Sequence, residues 1–86
     1  MSVDDAILSL AAASGAGGSI TPEDAARAVD PEHWRKRLHE VRAAAVRLAR
    51  DGRIVILRKG RPVEPDAFKG VIRLRIAAKD ENAGNA

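Results

Sequence analysis

The residues in this chain best suited to chemistry are two histidines, four serines, a glycine cluster and fifteen lysines and arginines. His33 and His39 lie six apart. Two ligands on one helix face need a spacing of about four, so the pair does not read as a metal site. Ser2, Ser9, Ser14 and Ser19 all fall in capping or linker contexts, and neither histidine joins one of them in a triad. Gly15-Ala16-Gly17-Gly18 follows a helical stretch and has no Lys nearby. A phosphate-cradling loop would instead follow a strand, open a helix and carry Lys with Ser or Thr. With no cysteine there is neither a disulfide nor a zinc-thiolate site. No catalytic residue, metal or cofactor is therefore expected, and the chain reads as non-enzymatic.

The cations remain, and their distribution is uneven. Residues 1–30 hold one base, Arg27, against Asp4, Asp5, Glu23, Asp24 and Asp30, a net of −4. Residues 31–75 hold thirteen bases against Glu32, Glu40, Asp51, Glu64 and Asp66, a net of +8. Lys79, Asp80 and Glu81 give the tail −1, and the whole chain carries +3. A basic half on a small domain is the electrostatic footprint of a polyanion-binding surface. The competing reading is a merely solvated arginine face. Base-stacking sheets and sugar platforms are excluded, because there is no tyrosine and the aromatics are Trp34 and Phe68 alone.

The 86 residues allow one domain. Seventeen of its apolar residues are alanine, which leaves 22 larger ones including Met1. A domain of this size buries only about 60% of its unfolded surface, so the core must be thin. Ser2 reads as an N-cap with an acid three residues on, opening a helix over about 3–14. Its stripe is Ile7, Leu10, Ala11 and Ser14, flanked by Val3 and Leu8, with Gly15 as the C′ residue. Ser19-Ile20 can form a very short strand. Thr21-Pro22-Glu23-Asp24 then caps a helix over about 22–29, with Ala25, Ala28 and Val29 facing inward. Asp30-Pro31 repeats the cap-then-proline device. Trp34, Leu38, Val41, Ala45 and Leu48 form the next stripe, ending at Asp51-Gly52. That period fits one helix over 31–51, or a turn at 31–36 and a helix from about 37. Trp34 is expected to anchor this segment on the second helix.

Two alternating runs complete the pattern. Residues 53–58 predict a strand covered on both sides. Val71 to Ile76 predicts a half-buried strand with Ile72, Leu74 and Ile76 inward, and Arg73 and Arg75 outward. The connection from Lys59 to Gly70 is too long for a two-residue turn and predicts an extended basic loop, stiffened by Pro62 and Pro65, with Phe68 pinning it to the sheet. Residues 78–86 read as a flexible tail.

Helix, short strand, helix, helix, strand, basic loop and strand is an order that resembles the winged helix-turn-helix domain. The resemblance rests on Thr21 to Val29 as positioning helix and Val41 to Gly52 as recognition helix, the latter running into Arg53-Ile54-Val55. More closely, the chain resembles a family of small bacterial proteins carried as a domain of unknown function. Trp34-Arg35, Val41 to Ala45, Gly52 to Val55 and Lys59 to Val63 carry that likeness over about residues 3–77. It implies an α+β fold over 1–77, with three helices followed by a two-stranded antiparallel hairpin wing. It lends no activity.

On that fold, Arg35, Lys36, His39, Arg42 and Ala43 would face bases in a major groove, and Arg58, Lys59, Arg61 and Lys69 would carry the wing onto the backbone. Arg47, Arg50, Arg73 and Arg75 lie further along, and at least two are expected only to solvate the surface. The expected partner is double-stranded DNA, with a role in transcription regulation. The alternatives are a protein–protein adaptor for an acidic partner and a structured-RNA binder. A dimer is compatible with the sequence. No apolar run approaches the roughly 18 residues of a membrane span, and the start has no signal-peptide pattern, so a cytoplasmic protein is expected.

Overall fold

A computed structural model of the chain describes residues 2–65 and 70–77. The expectations placed on Phe68, Lys69 and the tail 78–86 lie outside those residues.

Helix α1 spans Val3–Ala13, and the Ser2 side chain accepts from the Asp5 amide at 3.0 Å. Its buried stripe is Val3, Ala6, Ile7 and Ala11, with Leu8 and Leu10 partly buried. Ser14, expected on that stripe, is instead the exposed C-cap, and its hydroxyl donates to the Leu10 carbonyl. Helix α2 spans Pro22–Val29 and opens with a full capping box. The Asp24 amide donates to Thr21 Oγ1 at 3.1 Å, and the Thr21 amide donates to Asp24 Oδ2 at 3.0 Å. Its inward stripe is Pro22, Ala25, Ala26 and Val29, at the steps of 3, 1 and 3 that one helix face requires. Ala28 falls off that stripe and is exposed, contrary to the expectation.

Helix α3 is one helix, Trp34–Arg50. Asp30 Oδ1 accepts from the His33 amide at 3.0 Å, so the Asp30-Pro31 device caps a turn at 31–33 and not the helix itself. Val41, Ala44, Ala45 and Leu48 are buried, while Trp34 and Leu38 pack at the margin. The alanines leave a slim helix body that packs against both α1 and α2. The C-terminus is a Schellman motif. Gly52, at φ 76°, donates to the Ala49 carbonyl and Arg53 donates to that of Leu48, so α3 passes into the sheet without a linker.

The sheet is antiparallel in the order β2-β1-β3, from β1 (Ile54–Arg58), β2 (Arg61–Pro62) and β3 (Arg73–Ile76). Ile54 pairs with Ile76 and Ile56 with Leu74. Ile20 adds the expected short strand as a single bridge to Leu74, with reciprocal amide bonds of 2.8 and 2.7 Å. Ile54 and Ile56 are buried but Val55 and Leu57 only half so, which leaves the second face of β1 less covered than the sequence suggested.

The connection after β1 also differs from the expectation. Leu57 pairs with Pro62 and Arg58 with Arg61, so Lys59-Gly60 is a two-residue turn inside the loop. Both residues have positive φ, 54° and 79°, as a type I′ hairpin turn demands. Pro62 is tolerated because β2 lies at the sheet edge, and the ladder resumes with the Val63 amide donating to Ile56.

The largest fully buried side chains include Ile7, Val41, Leu48, Ile56, Ile72 and Leu74. Each contributes roughly 1.5–3 kcal/mol of apolar burial. These few residues join α1, α3 and the sheet into one core. Among the described residues no helix is long and apolar enough to cross a membrane.

Candidate nucleic-acid interface

Arg35, Lys36 and His39 are exposed on α3, with Ala43 one turn beyond His39 on the same face. Arg42 is half-buried, and its Nη2 donates to the Gly70 carbonyl at 3.1 Å. This expected base-facing residue thus fastens α3 to the segment entering β3. Arg58, Lys59 and Arg61 are exposed around the tight turn. Arg58 and Arg61 are direct cross-strand partners, and like charges in that position destabilise a sheet. Folding alone gives no reason to place them there.

The basic residues divide by what they touch. Arg47 grips Asp4 with two bonds, of 2.6 and 3.0 Å. That hydrogen-bonded guanidinium holds the Asp4 carboxyl below its ordinary value, and the carboxylate in turn raises Arg47. Arg37 lies 3.6 Å from Asp30 and 3.3 Å from Glu40. The Asp30 carboxyl is also lowered, first by the His33 amide it accepts from and then by the charges of His33 and Arg37. Arg73 donates to Ser19 Oγ at 2.6 Å and to the Ser19 carbonyl at 3.1 Å. Arg47 and Arg73 are thus surface fasteners, and Arg50 and Arg75 are engaged as well. In contrast, Arg35, Lys36, Arg58, Lys59 and Arg61 meet no carboxylate among the described residues. The expected cations of the recognition helix and the wing are thus among those left without a carboxylate, as are Arg27 and Arg53.

Trp34 is half-buried and packs against the core, as expected of an anchor. It also carries two guanidiniums, with Arg27 Cζ 4.4 Å and Arg35 Cζ 4.5 Å from its ring centroid. Each such contact contributes about 0.5–1 kcal/mol at an exposed site. Arg27 was missed in the sequence, where it stands out only as the one base of an acidic third. Nothing in its spacing signals that α2 sets it over a ring of α3.

A crevice of about 470 Å³ lies beside the hairpin, lined by Ser19, Leu57, Arg58, Lys59, Gly60, Val71 and Arg73. Val71, 83% exposed, stands at it. No group of three His, Cys, Asp or Glu side chains able to hold a metal occurs among the described residues. The arrangement supplies positive charge and planar donors, which suit phosphate oxygens and base edges.

Three helices followed by an antiparallel sheet with a basic hairpin make an α+β arrangement compatible with a winged helix. The chain belongs to the family described as Protein of unknown function (DUF3253), whose match covers residues 1–77. A search of curated proteins finds no match.

Proposed function

We propose that this chain is a non-enzymatic winged-helix protein that binds double-stranded DNA, laying α3 in the major groove and the Lys59-Gly60 hairpin on the backbone. A small bacterial transcriptional regulator or nucleoid-type binder, acting in the cytoplasm, fits this reading. The observation that carries it is a cluster of exposed cations without carboxylate partners, Arg35 and Lys36 on one helix face and Arg58, Lys59 and Arg61 around one turn. Such a field attracts an external polyanion, and DNA supplies phosphates at regular spacing.

Three phosphate contacts from Arg58, Lys59 and Arg61 alone imply a slope of log affinity on log salt of about −2.7, or roughly a 40-fold loss between about 50 and 200 mM salt. Anisotropy titrations of a labelled duplex at several salt concentrations test this. Arg61→Ala is expected to remove one contact, and Arg42→Ala to weaken binding further by releasing Gly70. No binding to any duplex at low salt overturns the reading.

A protein adaptor is the second reading, favoured by exposed Val71 beside Arg58, Lys59 and Arg73, an edge suited to an acidic partner with an apolar anchor. Salt-resistant capture of such a peptide, without duplex binding, would establish it. Preference for a structured RNA over duplex DNA would instead select the RNA reading.

A further inference from the structure

Arg27, Trp34 and Arg35 bring together the end of α2 and the start of α3. Both guanidiniums are exposed and both stack on one half-buried indole. Stacking differs from ion pairing in what it leaves available. A carboxylate neutralises an arginine and occupies two of its in-plane N–H donors, as Asp4 does for Arg47. A ring engages only the guanidinium face, so the five N–H donors at its edge remain open. Among the described residues neither the Arg27 nor the Arg35 guanidinium donates a hydrogen bond or meets a carboxylate. The indole therefore fixes two guanidiniums while their donors stay available, which lowers the ordering entropy of binding an anion. Arg27 is also the one base in residues 1–30, which otherwise carry five acids. It extends the basic surface of α3 across onto the second helix.

We propose that Arg27, Trp34 and Arg35 form a phosphate clamp, in which the indole holds one guanidinium from each helix against a phosphodiester of the nucleic-acid backbone. The clamp rests on the nucleic-acid reading above and adds to it a contact from α2. Phosphate oxygens suit the site because a guanidinium edge pairs with two of them at once.

The test compares wild type, Arg27→Ala and Arg53→Ala in duplex titrations across salt, following both a label on the DNA and the emission of Trp34, the chain's single tryptophan. Arg53 is an exposed cation outside the clamp, and its replacement removes the same charge. Arg27→Ala is expected to reduce the salt slope by about 0.9, so that it loses about 3.5-fold less affinity than wild type between about 50 and 200 mM salt. Arg53→Ala keeps the wild-type slope, and Trp34 emission in wild type shifts in step with DNA saturation. If duplex binds but the Arg27→Ala slope is unchanged, or falls no more than that of Arg53→Ala, the clamp is overturned while the DNA reading stands. Trp34 emission unmoved by bound duplex also overturns it. Failure of wild type to bind any duplex overturns the reading and the clamp together.

Discussion

Lys59 allows folding and binding to be separated at one position. Its φ of 54° places it in the left-handed region, which costs an L-residue roughly 1–2 kcal/mol. Asparagine tolerates that region and is favoured with glycine in a type I′ turn, so Lys59→Asn ahead of Gly60 should relieve about half of the penalty, some 0.5–1 kcal/mol. For a domain of this size the gain corresponds to a rise of about 3–6 °C in Tm. Lys59→Ala removes the same ammonium from beside Arg58 and Arg61 but lacks the short side-chain amide that lets asparagine hydrogen-bond the local backbone in this conformation. The difference between the two variants therefore isolates the backbone term from charge repulsion.

Thermal melts followed by far-UV circular dichroism give the stabilities, and duplex titrations across salt give the binding. Lys59→Asn is expected to be the more stable variant, while both reduce the salt slope by about 0.9. An Asn variant no more stable than the Ala variant refutes the strain argument. An unchanged slope in both refutes a phosphate contact at the turn.

Two further perturbations address the scaffold. The Asp4 carboxyl is held below the ordinary aspartate value by the hydrogen-bonded Arg47 guanidinium, so the pair stabilises the fold above that ordinary value, and its contribution is lost as pH falls through the depressed folded-state value. Asp4→Asn should thus lower the urea midpoint at about pH 6 and approach wild type at about pH 3; an equal deficit at both would show that titration of Asp4 is not responsible. Leu74→Ala, at a fully buried position where β1, β3 and Ile20 meet, is expected to cost about 2–5 kcal/mol, measured by urea unfolding. Because a chain of this length has about 4–13 kcal/mol in total, the variant should be almost wholly unfolded at the wild-type Tm, and a loss under about 1 kcal/mol would contradict the packing described.

What could be read in advance depended on whether the determinants were local. Thr21-Pro22 and Asp51-Gly52 set helix ends through bonds made within a few residues, and both were legible. The stripe from Trp34 to Leu48 fixed the buried face of α3 in the same way. The Lys59-Gly60 turn was hidden because β2 is two residues long and one of them is proline, too short to show alternation. Ala28 was misplaced because eight residues rich in alanine define a helix face weakly. At the candidate site the residue types were legible but their division was not. Arg47 and Asp4 are 43 apart, and Arg73 and Ser19 are 54 apart. Only the tertiary fold shows that these arginines are engaged while Arg58 and Arg61 are not.

The bridge between Ile20 and Leu74 has a consequence for how the chain reaches this state. It ties the acidic third to the last strand across 54 residues, a closure that costs about 3.5 kcal/mol of chain entropy before other contacts compensate it. The three helices can associate through nearer contacts, but this seam forms only when β3 arrives. Folding is therefore expected to be limited by the docking of the C-terminal strand, and a nascent chain lacking β3 leaves the amide and carbonyl of Ile20 without their partners.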